Sequence, residues 1–368
     1  MKIGVIGDAH LGSTDYSAKR RSDFSKAFTN AVELCCKNGA EVICLLGDVF
    51  DSAATRRSVD AFAEILREIS PTLIGLKNKR LPLVAIPGNH EFGRGREAGE
   101  LSALESLELL QVLRLTEFRI GNVGICGIPW QEDAAQIPGL AANLNKTSTA
   151  QRKILLLHNF VKGAQSIPSH LWQVDAATSN GFDKVFVGHH HIYEEIGSFV
   201  IPGSTEIQNM LEDVSSPKFV VAYDTETGSV TRHPLAPTHR VIALQYDATN
   251  ITGKALPTKI AEDLASYGTC AEAFVYIKVT GTLKTKDAVS KAEILAVLRE
   301  LDAFDYYVDL RHSTEAKTAS ESIKGASIAH ILRGRFKGKE LTKAQKYLQF
   351  GAADDLFLSI REGILSDH

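Results

Sequence analysis

Five short apolar runs in this chain of 368 residues each break off at side chains able to bind a metal ion, and that recurrence constrains the fold more than any other feature. Lys2–Ile6 leads into Asp8-Ala9-His10, Val42–Leu46 into Asp48-Val49-Phe50-Asp51, and Leu83–Ile86 into Asn89-His90-Glu91. Ile154–Leu157 leads into His158-Asn159, and Lys184–Val187 into His189-His190-His191. Short runs with so little polar alternation read as strands buried on both faces, the pattern of an α/β protein. Between the first two, Ser17–Lys37 places Phe24, Ala27, Phe28, Ala31, Val32, Leu34 and Cys35 at helical spacing, so a helix connects two parallel strands. In open α/β sheets the ligand site lies outside the carboxyl ends of the strands, which brings all five endings to one place. Gly7, Gly47, Gly88 and Gly188 precede four of them and allow a tight turn or a close backbone approach.

Taken singly, each ending has an ordinary explanation. Gly-Asp and Gly-Asn-His are turn sequences, Asp-x-His is often a turn or a helix cap, and His158 after a run of aliphatics resembles a hydrogen-bonded core histidine. Their succession, which uses six of the twelve histidines, points to one site. Two divalent ions about 3.5–4 Å apart stabilise both the attacking and the leaving oxygen of an in-line phosphoryl displacement. A shared carboxylate keeps such a pair together. Neutral imidazoles and an Asn carbonyl complete each shell without excess negative charge, a donor set that suits manganese, iron or zinc better than calcium. No cysteine stands at any of the five positions.

Length and composition set the frame for the rest of the chain. At 44% hydrophobic and 23% charged, 368 residues exceed the usual ceiling for one core and imply two or more domains. A net charge of −3 gives no whole-molecule attraction to nucleic acid or anionic membrane, so any polyanion contact is local. The five cysteines are odd in number and lack CxxC spacing, which argues against a disulfide framework and for a reducing cytoplasm. The first residues reach Asp8 too soon for a signal peptide, and no apolar run approaches the ~20 residues of a membrane helix. A cytoplasmic protein without membrane contact is therefore expected.

From Glu194 to Arg240 the strand-like pieces Ile196–Ile201, Phe219–Tyr223 and Val230–Thr231 alternate with turns and are expected to form a second sheet closing the first domain. The proline-flanked stretch Pro234–Thr238 marks the boundary. Beyond it the pattern is strand (Val241–Tyr246), helix (Lys254–Ala265), strand (Phe274–Val279), helix (Ala288–Leu301), strand (Tyr306–Leu310), a small α/β module. Two helical stretches then flank a basic loop, Arg333–Lys339. Between Arg311 and Lys346 nine Lys or Arg face three Asp or Glu. Such a run is ordinarily a solvated face, and its functional reading is phosphate-backbone contact. Arg56-Arg57 and Lys77–Arg80 are further candidates. The expected division is 1–237, 238–313 and 314–368.

The runs GDAHLG, GDVFD, GNHE, the lone His158 and GHHH together resemble the calcineurin-like metallophosphoesterases, whose pattern is DxH, GDxxD, GNHE or GNHD, H, and GHxH. More narrowly, His10-Leu11-Gly12, RSDFSKAF over Arg21–Phe28, GFDKVFVGHHH and Ile201–Glu206 (IPGSTE) resemble the SbcD nucleases, relatives of the repair nuclease Mre-eleven. The resemblance implies a sandwich of two mixed sheets flanked by helices, an α/β capping domain and a C-terminal helical tail. It implies one metal on Asp8, His10, Asp48 and His191 and a second on Asp48, Asn89, His158 and His189, with Asp48 bridging. His90 then stands beside the scissile phosphate, stabilising the transition state or protonating the departing oxygen. The implied activity is manganese-dependent cleavage of DNA, as exonuclease and single-strand endonuclease, in double-strand-break repair. The implied partners are DNA, an SMC-like ABC ATPase of the SbcC type gripped by the terminal helix (Thr342–Ile364), and a second copy of the chain, with Leu101–Leu110 as the dimer surface. Asp51 departs from the Mre-eleven pattern, which often has a second active-site His there, and reads as a supporting carboxylate. His190 is expected to point away from the metals if its segment is extended. Two other readings stand beside this one: a metallophosphatase or small-molecule phosphodiesterase on the same core, and a non-catalytic scaffold subunit.

Overall fold

The structure is a computed structural model and describes residues 1–51, 59–92, 99–164, 173–208, 210, 216–251, 255–283, 289–311 and 313–314. Its first part alternates strand and helix: β1 (Lys2–Ile6), α1 (Arg21–Lys37), β2 (Val42–Leu45), α2 (Val59–Asn78), β3 (Leu83–Ala85), α3 (Gly99–Ser106) and β4 (Gln111–Val112). There follow β5 (Glu117–Ile120), β6 (Val123–Ile128), α4 (Ile137–Thr147), β7 (Arg152–His158), β8 (Lys184–Gly188), β9 (Glu194–Ile196), β10 (Phe199–Ile201), β11 (Lys218–Asp224) and β12 (Val230–Leu235).

These strands make two six-stranded mixed sheets, ordered β12-β11-β1-β2-β3-β4 and β5-β6-β7-β8-β10-β9. β1 to β4 run parallel, as do β6, β7, β8 and β10. The antiparallel strands β11, β12, β5 and β9 lie toward the edges. The runs are apolar throughout because both faces of each sheet are covered. Along β2, Val42 and Cys44 join Leu46 in the core between the sheets, with Val123, Ile154, Leu156 and Phe186 opposite. Ile43 and Leu45 face the other way, onto Phe28 and Ala31 of α1 and Ile65 and Ile69 of α2. The outer face of the second sheet buries Leu155, Leu157, Val185 and Val187 against Ile137 and Ala141 of α4. The layers are therefore helix, sheet, sheet, helix, the expected sandwich.

Two sequence expectations change here. The stretch Glu194–Arg240 is not a sheet of its own: β9 and β10 extend the second sheet, while β11 and β12 extend the first through the register Lys2↔Asp224. Ile196–Ile201, read as one strand, is cut by Gly197 at φ +61 into the adjoining ends of a hairpin. In the stretch Leu101–Leu110, the expected dimer surface, Leu101, Leu104 and Leu110 are buried in the protein's own core, and among its leucines Leu107, 57% accessible, is the strongly exposed one.

The chain continues as β13 (Arg240–Asp247), α5 (Ala255–Ser266), β14 (Ala273–Thr280), β15 (Thr282–Leu283), α6 (Lys291–Arg299), β16 (Asp305–Leu310) and β17 (Ser313–Thr314). β13, β14 and β16 form a three-stranded sheet, with β14 and β16 parallel, and β15 pairs with β17. By contact density Met1–Tyr246, Pro257–Val279 and Lys291–Leu310 are one compact unit, and Asp247–Leu256, Thr280–Ser290 and Arg311–His368 a second. Within the first unit, Arg20 fastens the three-stranded sheet to the sandwich. Its guanidinium lies 5.1 Å from the Phe24 ring and 5.5 Å from that of Phe274 on β14, donates to Ile207 O at 2.8 Å, and pairs with Glu206 at 3.6 Å. Beside it Asp23 meets His239 Nδ1 at 3.0 Å, and the His239 ring stacks on Phe304. Arg56-Arg57, Arg333–Lys339 and Thr342–Ile364 lie outside the described residues. No helix among those described is long and apolar enough to cross a membrane.

Candidate metal centre

The carboxyl ends of β1, β2 and β3 in one sheet face those of β7 and β8 in the other, and the five endings read from the sequence are delivered there. The turns that deliver them are unusual. His10, Asp48 and His189 have φ of +45°, +45° and +87°, a region non-glycine residues seldom occupy and one that clusters at functional sites. Gly47 is also left-handed at φ +88, and an added Cβ would fall 2.5 Å from His158 Nδ1. At Gly7 a Cβ would lie 2.1 Å from the carbonyl oxygen of Gly203, so the IPGSTE loop can seat directly on the β1 turn.

Three overlapping groups of donors lie within metal-sharing distance: Asp8, His10 and His191; Asp48, His158 and His189; and His10, Asp48 and His90. Asp48 Oδ2 stands 3.4 Å from His158 Nε2 and 3.9 Å from His10 Nε2, so one carboxylate oxygen faces both sides of the cluster. Asn89 Oδ1 lies 3.0 Å from His158 Nε2 and 2.7 Å from His189 Nδ1, separations close to those of donors sharing one ion at about 2.0–2.2 Å. Seven residues expected as ligands are thus brought together, with His90 at the rim. Its ring edge meets that of His10 at 4.7 Å, and its Nδ1 is 3.7 Å from Asp51. His190 turns elsewhere, its Nε2 accepting from Val161 N at 3.3 Å. The segment is bent at His189 rather than extended.

The chemistry of the donors fits divalent cations. Asp8 Oδ2 and His10 Nε2 are buried without a hydrogen-bond partner among the described residues, an expensive arrangement for a protein interior unless another group satisfies them. His158 Nδ1 donates to Leu46 O at 2.6 Å, which fixes the tautomer and leaves Nε2 turned into the cluster, as a backbone carbonyl does for metal-bound histidines. Burial pushes the His10 imidazole down to about 3 and lowers His189 as well, so both are neutral, the ligating form. Burial raises Asp8 to about 7, with the neighbouring Asp48 charge adding to the rise, an energetic conflict that cations relieve. Burial would also raise Asp48, but the charge of His158 and its hydrogen bond outweigh this and hold the carboxylate well below its ordinary value. Burial lowers His90, yet Asp51, Asp48 and Glu91 hold its proton and the ring ends near 9.

Residues not singled out from the sequence complete the site. Glu91, 1% exposed, accepts from the backbone N–H groups of Asp48, Phe50 and Gly88 at 2.9, 2.9 and 2.7 Å and so ties two ligand turns together. Lys218, buried on β11, donates to His191 O and Ser204 Oγ, both at 2.9 Å. Trp130, just past β6, packs at 5.0 Å from the His189 ring, and Phe160 at 4.2 Å. The signal for Trp130 was present: Val123–Ile128 is a sixth apolar run that ends abruptly, in Pro129-Trp130.

Residues 1–193 match the calcineurin-like phosphoesterase family. The chain belongs to that family. It is 30% identical over 235 residues to the DNA double-strand break repair protein Mre11 of Saccharolobus solfataricus, an alignment covering 60% of this chain and 58% of that protein. It is 24% identical over 358 residues to the protein of the same name from Methanosarcina acetivorans, covering 92% of this chain and 51% of that one. It is also 33% identical over 91 residues to a probable cyclic nucleotide phosphodiesterase of Fibrobacter succinogenes, covering 25% and 31%. The chain spans little more than half the length of the two repair proteins.

Proposed function

We propose that the chain is a two-metal phosphodiesterase that hydrolyses DNA, an SbcD-like exonuclease and single-strand endonuclease acting in double-strand-break repair. The observation that carries this reading is the chain of three overlapping donor groups, two of which share Asp48, with the His90 Nδ1 3.7 Å from Asp51 at their rim. Asp8, His10, Asp48 and His191 would hold one ion, and Asp48, Asn89, His158 and His189 the other. Two divalent ions held there, for which manganese suits this nitrogen and oxygen set, would supply Lewis-acid polarisation of the phosphodiester and a water more easily deprotonated. His90 gives its proton to the departing sugar oxygen and regains one from solvent, while Asp51 orients the ring and favours its charged form. Glu91 keeps the turns carrying Asp48 and Asn89 in register. The three-stranded module, expected as a cap, contacts the DNA. The C-terminal segment grips an SMC-like ABC ATPase, and two copies of the chain form a dimer. Similarity to the repair proteins of Saccharolobus and Methanosarcina supports this reading.

The test is cleavage of labelled duplex, hairpin and single-stranded DNA with manganese, beside turnover of p-nitrophenyl phosphate and bis-p-nitrophenyl phosphate. DNA and the diester should be hydrolysed and the monoester spared. A second reading, a small-molecule phosphodiesterase or phosphatase, draws on the similarity to the Fibrobacter protein, and monoester or cyclic-nucleotide turnover without DNA cleavage would establish it instead. Deletion beyond Ser313 should abolish capture of the ATPase while sparing diester turnover. Undiminished capture would remove the tail from the partner reading.

A further inference from the structure

Trp130 stands beside the His158–His189 side of the cluster. Its backbone N–H bonds to Pro87 O at 2.9 Å, which sets it beside the turn carrying Asn89 and His90. Its indole N–H has no hydrogen-bond partner among the described residues, and the ring is only half-buried. The ring is tilted 37° to His189 at 5.0 Å and lies 6.1 Å from both His158 and Phe160. Phe160, also half-buried, meets His189 edge-on at 87°. An aromatic pair therefore stands against the His158–His189 side of the cluster. His90 stands on the other side, against His10. A diester bound over the cluster, between His90 and the aromatic pair, would turn one ester arm toward each.

We infer that Trp130, supported by Phe160, is a specificity-determining residue: its ring receives the base of the nucleotide on the arm opposite His90. This rests on the proposed phosphodiesterase reading and names its substrate more closely, as a nucleoside-bearing diester. Stacking suits a nuclease of broad sequence tolerance, because every base offers a π-face while none is read by its hydrogen-bonding edge. A half-buried indole also carries a polar edge that can reach sugar or phosphate while its face stays apolar.

Two measurements test the inference. The sequence holds two tryptophans, so Trp172→Phe leaves Trp130 as the only indole emitter. With His90→Ala added to prevent turnover in manganese, a thymidine decamer should quench that emission, and an abasic decamer of equal phosphate count should not. Equal quenching by both, or by neither, overturns the proposal. The second compares kcat/KM for thymidine 5′-(p-nitrophenyl phosphate) with that for methyl p-nitrophenyl phosphate, which has no base. In Trp130→Ala the ratio of the two should fall by about tenfold, and in Trp130→Phe by much less. A residue that merely steadied His189 would slow both substrates together and leave the ratio unchanged, which would sink the proposal. The wild-type protein's absolute turnover of the thymidine diester tests the phosphodiesterase reading separately, so failure of one is distinguishable from failure of the other.

Discussion

At the scale of single residues, the proposed roles give cation binding to seven side chains and proton transfer to His90. His90→Ala should retain both ions by elemental analysis and lose DNA cleavage, since each proposed ion keeps four other donors. Metal loss in that variant would show that its role is misassigned. Asp48→Ala should lose metal from both groups, because the same carboxylate oxygen faces His10 and His158. Glu91 is of a third kind and binds only backbone. In Glu91→Gln one amide oxygen must replace two carboxylate oxygens that accept three N–H groups. Each buried bond to a charged group so weakened is worth about 1–3 kcal/mol. The variant should melt several degrees lower by circular dichroism and bind manganese more weakly in calorimetry, and an unchanged melting curve would contradict the account. His158 and Asn89 were legible from the motifs. Glu91, Lys218 and Trp130 were not assigned roles, because they act on carbonyls, N–H groups and ring faces brought near only by folding.

Elements deliver these residues through a division of labour between the two sheets. Parallel strands put every carboxyl end on the same side of a sheet, which is why five endings separated by long stretches of sequence arrive together. The seam to the three-stranded module depends on α1 and the IPGSTE loop, stretches that bear no donor to the metal cluster. Arg20 and Glu206 are each 2% exposed, and removing one partner of a buried pair leaves an uncompensated charge, at a cost of about 3–5 kcal/mol. Arg20→Met should therefore be strongly destabilising in urea unfolding. Arg20→Met with Glu206→Gln should cost less than the sum of the two single changes, because neither charge is then stranded. Strict additivity would show that the two do not act as a pair. The module's strands and helices followed from periodicity, and the hairpin break at Gly197 did not, since a turn of two residues inside an apolar run leaves its hydrophobic pattern intact.

For the whole molecule, an interior cluster of this charge links folding to cations. Asp8, Asp48, Asp51 and Glu91 are all buried within the centre, and ions that bind the native state and not the unfolded chain stabilise it by mass action. The gain is about 2.7 kcal/mol for each ion at a hundredfold excess over Kd. Manganese should raise the melting temperature and EDTA lower it, with the difference nearly absent in Asp48→Ala. A melting temperature indifferent to manganese in the wild-type protein would contradict the centre as described.

The sequence by itself determined the α/β class, the two-faced burial of the strands and the five polar endings that meet at one place, while the choice of seven donors and His90 among them came with the family resemblance. It could do so because apolar period and chain-local spacing are properties of adjacent residues. Only the tertiary structure decided that β9 and β10 join one sheet and β11 and β12 the other, that Arg20, one residue before the RSDFSKAF run, is buried against the three-stranded sheet, and that Trp130 stands at the metal cluster. Those outcomes depend on which strand edges and ring faces meet across long loops, and no local pattern encodes that pairing.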